Sequence, residues 1–443
     1  MNVLVSNGND ILECRCCAWR RSSNAGALHR RRRCSFCVVS DDAPPLSAAR
    51  CVYWASTMQA AKFCGRLVRL STLNSNGIGS TREIFAVRQL NSTQRSLSSQ
   101  SSAGACVNIG IVGAGRIGQV HAETLSRLPN ARAVHIVDTI EKAAQSAATK
   151  FGIPRVSTRF EDLVENKDIH AVFICSPSTL HAAQIKACCA AGKHIFCEKP
   201  LAITLAEADE VIQTVERSGV KMMLAFQRRF DPFFASAQAA VARGDIGEPF
   251  TFKLTSRDPA PPPIEYLKMS GGQANDQAIH DFDVARFLMN GAECTEVYTV
   301  GACRVDPRIA QEAGDTDVMV VLLRFDNGAF GTVEVSRLCS FGYDQRVEVF
   351  GSKGQVSFGN AYPNDVMLED KSSVRRAAMP YSFFMDRYER AYRNEVSVFV
   401  DCLLNNKPMP TSGRDGRAAM VIARAAKKSL DEGRPVKTSE IKA

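Results

Sequence analysis

Asn108-Ile109-Gly110-Ile111-Val112-Gly113-Ala114-Gly115-Arg116-Ile117-Gly118 carries an apolar strand pattern into a glycine-rich turn, and Asp138 closes the next apolar run, Ala133-Val134-His135-Ile136-Val137. Strand, Gly-x-Gly-x-x-Gly turn, helix, strand and acid in this order describe the first half of a dinucleotide-binding βαβ unit. Gly113 allows the tight turn, Gly115 lets the backbone approach a pyrophosphate, and Gly118 lets the helix pack closely. Arg116 and Ile117 open that helix, so their free N–H groups and the positive dipole end suit the phosphates. Asp138 suits the ribose hydroxyls and repels a 2′-phosphate. Thr139 and Ile140 add no compensating cation, so the expected cofactor is NAD rather than NADP.

After Asp138, short apolar strands alternate with amphipathic helices: Glu141 to Phe151 helical, Ala171 to Cys175 a strand, Thr179 to Ala191 helical, His194 to Cys197 a strand, Thr204 to Ser218 helical, Lys221 to Phe226 a strand. This predicts a doubly wound parallel sheet of the Rossmann type over residues 106–226. The tips Ser176-Pro177-Ser178 and Glu198-Lys199-Pro200 fall on its carboxyl edge, where the ligand crevice of such sheets lies. Topology therefore puts Lys199 beside the cofactor, with Pro200 fixing the backbone in a cis or trans bond. From Pro249 the text turns to longer β segments, Phe250 to Thr255, Glu296 to Val305, Thr316 to Phe325, Ala329 to Leu338 and Gln345 to Phe350. Asp326-Asn327-Gly328 and Gly351-Ser352-Lys353-Gly354 are hairpin signals. The second domain, 227–443, is predicted as α+β with a large, open, mostly antiparallel sheet, closed by helices Met385 to Leu404 and Gly413 to Glu432.

Charge separates the body from what precedes it. Residues 1–105 hold 14 basic and 5 acidic side chains, leaving 41 of each sign beyond them. A neutral body argues against nucleic acid or an anionic membrane surface as its partner, and no apolar run is long enough to span a bilayer. Residues 1–105 read as a basic, disordered extension rich in Ser and Arg. From Met58, the basic amphipathic stretch to Leu70 and Arg95-Ser96-Leu97-Ser98-Ser99 resemble a mitochondrial presequence and its cleavage site. The expected location is the mitochondrial matrix, the alternative being a cytoplasmic enzyme with a basic tail. Cys14, Cys17, Cys34 and Cys37 have a spacing that suits tetrahedral zinc, but the flanking text lacks the turns of a zinc knuckle, so no metal is expected. The scattered cysteines of the body, such as Cys175, Cys188, Cys189 and Cys197, read as buried free thiols.

Gly113-x-Gly115-x-x-Gly118, Ser176-Pro177 with His181, and Glu198-Lys199-Pro200 together resemble the glucose–fructose oxidoreductase, inositol dehydrogenase and rhizopine catabolism family, from about Val107 to the C-terminus. Phe226-Gln227-Arg228-Arg229-Phe230-Asp231-Pro232, Ser256-Arg257-Asp258-Pro259, Ser270-Gly271-Gly272 and Asp276-Gln277-Ala278-Ile279-His280-Asp281-Phe282-Asp283 resemble its inositol 2-dehydrogenase branch. Gln273-Ala274-Asn275 is more polar than that branch usually shows. The resemblance implies oxidation of myo-inositol to its 2-ketone by hydride transfer to NAD, in a homotetramer. It also implies a catalytic trio of Lys199, Asp276 and His280, polyol contacts near Arg228, Asp258 and Tyr343, and cofactor contacts that include Ser176, Pro177, His181 and Glu198.

The residue types agree with that chemistry. Asp276 and His280 stand four apart in a helical pattern, which predicts one shared face, with the carboxylate supporting the imidazole as a general base. Lys199 is suited to hydrogen-bond the developing alkoxide. Arg228 and Arg229 read as one arginine facing in and one out. Two other classes fit parts of this text: a related sugar or dihydrodiol dehydrogenase, and an NAD-binding regulator without turnover.

Overall fold

The computed structural model describes residues 3–7, 10–14 and 106–443. The extension and the chain's remainder are separate units. In the first, Val3–Asn7 pairs antiparallel with Asp10–Cys14, a hairpin where the sequence reading has disorder. The missed signal is Gly8-Asn9 between two apolar segments, a dipeptide favoured in two-residue hairpin turns. The presequence reading and the four-cysteine spacing beyond Cys14 lie outside the described residues.

In the second unit, six strands run parallel in the order β3-β2-β1-β4-β5-β6: β1 (Val107–Val112), β2 (Ala131–Val137), β3 (Arg155–Ser157), β4 (Ala171–Ile174), β5 (His194–Glu198) and β6 (Met222–Ala225). The order reverses between β1 and β4, which opens a crevice at their carboxyl ends. Helices α1 (Arg116–Ser126), α2 (Glu141–Phe151), α3 (His181–Ala190) and α4 (Leu205–Ser218) cover the two faces. Their ends follow local chemistry: Thr204 and Glu207 form a reciprocal capping box on α4, and Gly152 and Gly219 end α2 and α4 in the left-handed conformation.

Beyond α5 (Pro232–Ala242) lies a seven-stranded sheet in the order β12-β11-β7-β10-β9-β8-β13: β7 (Pro249–Arg257), β8 (Cys294–Ala302), β9 (Val318–Phe325), β10 (Phe330–Ser336), β11 (Asp344–Gly351), β12 (Gly354–Phe358) and β13 (Val436–Lys437). Only the β7–β10 pair is parallel. One face, with Val297, Met319, Val321, Leu323 and Val333, is buried on α7 (Ile279–Leu288) and α9 (Gly413–Glu432). The other exposes Tyr298, Val300, Val320, Leu322, Phe330 and Phe350. Val300 opposes Val320 and Tyr298 opposes Leu322 across the β8–β9 ladder, so these four side chains are neighbours on one exposed apolar patch.

The C-terminal helices return to the nucleotide sheet. Val396, Phe399 and Val400 of α8 (Glu389–Leu404) join Phe173 and Phe196 in its core, and Phe399 meets both rings edge-on at 5.5 Å. Ala419 and Met420 of α9 belong to the core on the sheet's opposite face, while Ile422, Ala423 and Ala426 belong to the core of the larger sheet. Removing the Phe399 ring leaves a cavity between helix and sheet. Phe399→Ala is expected to cost about 3–5 kcal/mol, read from urea denaturation of the full chain.

Candidate active site

Gly113 adopts φ +99°, and a Cβ there would lie 2.4 Å from the Cys175 carbonyl oxygen. One on Gly118 would lie 1.9 Å from the Gly113 carbonyl oxygen, whereas one on Gly115 would meet nothing within 4 Å. The first and third glycines are thus needed for packing and the second borders open space. Helix α1 starts at Arg116 with no side-chain cap, so its first-turn N–H groups remain free beside that space. Asp138 Oδ2 accepts the Ala114 N–H at 2.7 Å and Oδ1 accepts the Ile140 N–H at 2.8 Å. Each oxygen keeps a lone pair for a ribose hydroxyl. The donor set and the uncapped, glycine-lined helix end fit NAD, with Gly115, Arg116 and Ile117 at the phosphates and Asp138 at the ribose.

At the neighbouring strand tips, Ser176 donates its hydroxyl to Gln184 at 2.6 Å. Pro177 precedes a short 3₁₀ turn, Ser178–Leu180, that leads into α3. His181 is buried, with Nδ1 2.8 Å from the Pro200 carbonyl and Nε2 3.0 Å from the Ser176 carbonyl. The ring stands between the tips of β4 and β5; burial lowers its pKa, so it is neutral and donates to one of the two carbonyls, with both nitrogens turned to the protein. Glu198 Oε1 lies 2.6 Å from Nε2 of the buried His121, among the rings of Phe173, Phe196 and Tyr392. Lys199 follows at the tip, and its bond to Pro200 is cis.

Lys199 Nζ donates to the Asp276 main-chain carbonyl at 3.1 Å and stands 3.7 Å from Asp276 Oδ1. Asp276 Oδ1 also accepts the Tyr266 hydroxyl at 2.7 Å, and Oδ2 accepts from Arg337 Nη1 at 3.4 Å. His280 is not among its hydrogen-bond partners. The expected shared helical face does not form, because α6 (Gln273–Asp276) and α7 are separate helices. At the junction the Ala278 N–H reaches back five residues to Gln273, and the Asp281 N–H only three to Ala278. That slip breaks the spacing on which a four-residue periodicity depends. The polar Gln273 has a structural cause: it is buried, donates to Gln277 and to the Asp317 carbonyl, and accepts from Thr316.

His280 is half-buried, with Nδ1 enclosed and unpartnered, which leaves Nε2 as the nitrogen facing the cleft. Burial, then the charges of Lys199 and Arg228, hold its pKa well below the usual imidazole value, so the ring is neutral at physiological pH. Asp258 lies in the same charge field. Burial, reinforced by Asp276 and Asp281 and opposed by Arg337 and Arg228, raises its carboxyl to about 7.

Arg228 is only 3% exposed, its Nη1 bonded to Asp281 at 2.5 Å and Nη2 to Ser256 at 3.1 Å. Arg229 forms a two-point pair with Asp283 and also reaches Asp415. The expectation of one arginine facing in and one out is therefore corrected: both are held by carboxylates, and Arg228 Nε is buried and unpartnered. Tyr343 is buried edge-on against Tyr388 at 5.9 Å, with burial, Tyr388 and Asp258 among the causes that raise its phenol pKa. Sequence reasoning missed Tyr266 and Arg337. Tyr266 stands 10 positions before Asp276 and Arg337 61 after it, and no helix or strand periodicity links either to it. Among the described residues no acidic, histidine or cysteine cluster suits a metal ion, and no helix is long and apolar enough to cross a membrane.

Comparison with known proteins agrees with this geometry. Residues 107–226 match the oxidoreductase family with an NAD-binding Rossmann fold, and residues 234–357 match the GFO/IDH/MocA C-terminal domain. A myo-inositol 2-dehydrogenase of Thermotoga maritima is 41% identical over 335 residues, 76% of this chain and 99% of the relative. An inositol 2-dehydrogenase of Rhizobium meliloti is 40% identical over 74% of this chain and 98% of its own length. The crystal structure of a scyllo-inositol dehydrogenase from Lactobacillus casei, with bound NAD(H) and scyllo-inositol, superposes with a TM-score of 0.70 at 29% identity. It covers 75% of this chain and 99% of that one.

The glycine geometry separates folding from cofactor binding. Gly115→Ala is expected to keep the wild-type melting temperature and to weaken NADH binding at least ~10-fold, about 1.4 kcal/mol, in a fluorescence titration. Gly118→Ala should lower the melting temperature as well, because its Cβ has no room beside the Gly113 carbonyl.

Proposed function

The chain belongs to the GFO/IDH/MocA oxidoreductase family, and from that premise we propose that it oxidises myo-inositol, or a closely related cyclic polyol, to the 2-ketone with NAD. The convergence of Lys199, Asp276, Asp258 and a neutral His280 beside the dinucleotide crevice carries this reading. It is supported by the inositol dehydrogenases that align over nearly their whole length.

NAD, when bound, supplies the hydride-accepting carbon. His280 takes the proton of the reacting hydroxyl at Nε2, for which a neutral ring is required. Lys199 donates a hydrogen bond to the same oxygen and stabilises the negative charge that develops on it. Asp276 orients Lys199 through its main-chain carbonyl and its carboxylate, and keeps lone pairs for a neighbouring hydroxyl. Asp258 serves a further hydroxyl, as acceptor when ionised and donor when protonated. Arg228 acts through Asp281, not by direct contact, and Tyr343 lines the site near Asp258.

Two finer readings accompany this one. The exposed apolar face of the larger sheet, with Tyr298, Val300, Val320, Leu322, Phe330 and Phe350, is covered by a second copy in a homotetramer, because so large a patch is unfavourable in water. Residues 58–105 direct the protein to the mitochondrial matrix, a reading supported by their basic, amphipathic and nearly acid-free sequence.

The deciding assay is NADH formation with myo-inositol, scyllo-inositol, glucose and xylose, each with NAD and with NADP. Turnover confined to inositols with NAD is expected, and turnover with other sugars alone, or with no polyol, overturns the substrate assignment. His280→Ala and Lys199→Ala should each lower kcat on the order of 10²–10⁴-fold. The polyol KM should change around pH 7 as Asp258 titrates, and Asp258→Asn should flatten that dependence. Replacing Val300 and Leu322 together by Lys should shift the assembly towards smaller species in light scattering at unchanged secondary structure.

A further inference from the structure

Arg337 follows β10 directly and is 1% exposed, one of the largest side chains removed entirely from water. Its Nη1 lies 3.4 Å from Asp276 Oδ2 and its Nη2 3.6 Å from Asp315 Oδ2. Asp315 Oδ1 in turn accepts the N–H of Gln273, the first residue of α6, at 3.0 Å. One cation therefore holds both ends of a four-residue helix, its start through Asp315 and its end through Asp276. That helix has no side-chain cap of its own, and a single turn is too short to be stable alone.

The way this arginine is held differs from every other buried arginine at the junction of the two sheets. Arg228, Arg229 and Arg387 close on their carboxylates at 2.5 to 2.7 Å. Arg337 stands back from both of its partners; its Nε, like those of Arg228 and Arg387, is buried with no hydrogen bond, and so are its Nη2 and Asp315 Oδ2. A guanidinium that served only to cement the fold would be expected to close on its carboxylates as those three do. Held slackly, it fixes the direction of the Asp276 carboxylate without occupying all its lone pairs. From the opposite side the Tyr266 hydroxyl donates to Asp276 at 2.7 Å. Burial and the Asp276 charge push that phenol's pKa up, so it remains a donor across the working range.

We infer that Arg337 is a positioning residue: lodged between Asp276 and Asp315, it fixes the short helix that presents Asp276 to the polyol, and Tyr266 completes the clamp. The inference rests on the reading of Asp276 as part of the polyol site. It also bears on Asp258, which is faced by Arg337, Arg228, Asp276, Asp281 and Tyr343, with Arg337 the strongest cationic influence on it. Losing that cation moves the Asp258 titration to higher pH.

The test compares full-length wild type with Arg337→Met, Arg337→Lys and Tyr266→Phe. For myo-inositol oxidation, Arg337→Met should lower kcat about 10- to 100-fold, leave the NADH dissociation constant within about 2-fold, and move the pH-dependent step near 7 upward by about one unit. Arg337→Lys should recover part of kcat. A loss of thermal stability with unchanged kcat, KM and pH profile overturns the inference, as does a fall in kcat fully explained by weaker NADH binding. If Arg337→Met does not fold, Tyr266→Phe decides, since it removes only a hydroxyl from a side chain about half exposed: a several-fold fall in kcat at unchanged melting temperature supports the clamp, and unchanged kinetics overturn it. If wild type oxidises no inositol, the functional reading fails by itself. Hydrogen exchange at the amides of residues 273–277 then reads the clamp without substrate: faster exchange in Arg337→Met or Tyr266→Phe supports it, and equal exchange in both overturns it.

Discussion

Three buried Arg–Asp pairs set the geometry on which the site depends. The segment that leaves the nucleotide sheet after β6 presents Arg228 and Arg229 to Asp281 and Asp283 of α7, and Asp231 to Arg387 just before α8. His280 stands beside Asp281, so the pair that locks α7 to the end of β6 also fixes His280 relative to Lys199. Hydrophobic contact alone tolerates small sliding, whereas a guanidinium fixed at two points has few good geometries: Arg229 and Arg387 each make two bonds to one carboxylate, and Arg228 bonds Asp281 and Ser256. Such pairs gain little net stability over apolar replacements of the same shape. Breaking one leaves an uncompensated charge at a cost of about 3–5 kcal/mol, so they discriminate strongly against misdocked arrangements.

The pairs also explain which parts of the site were legible in the sequence. The glycine turn, Asp138, the strand tips and the mostly antiparallel second sheet rest on local rules, namely backbone conformation, a period of two residues in strands and hairpin chemistry at Asp326-Asn327-Gly328. Those signals are complete within about thirty residues of chain. Arg228 with Asp281 spans 53 positions, Lys199 with Asp276 spans 77 and Arg337 with Asp276 spans 61. No local pattern encodes such separations, so Arg228 read as a ligand contact and Arg337 did not register. The shared face of Asp276 and His280 failed for a different reason. The periodicity assumes an unbroken helix, and the interruption at Gln277-Ala278 is stabilised by bonds from Gln273 to Thr316 and Asp317, on another part of the chain.

His181 shows the opposite confusion, a residue in a ligand-like position whose task is internal. Its neutral ring lies between the carbonyls of Ser176 and Pro200 and donates to one of them, at the tips of β4 and β5 where the crevice opens. A parallel sheet leaves such tips without ladder partners, and a buried side chain that donates to a carbonyl there meets a requirement of the backbone itself. A histidine one helical turn past a strand tip reads the same in sequence whether it faces a ligand or the protein.

On the proposed roles of His280 and Lys199, the charges around the cleft divide the work of oxidation. Burial first, and then the charges of Lys199 and Arg228, oppose a proton on His280, which makes the imidazole a weak base. The same positive field lowers the energy of an alkoxide, since it favours any negative charge placed beside Lys199. A weak base is sufficient when the acid it deprotonates is strengthened by its surroundings, and the proton it takes is then readily given up to solvent. Asp276 and Asp258 keep that field from becoming excessive: one carboxylate is pinned against Lys199 and Arg337, while the other titrates near neutrality. The site therefore stabilises the charge of the reacting oxygen more than that of the base, an allocation consistent with a group transfer in which electrons leave the substrate as hydride.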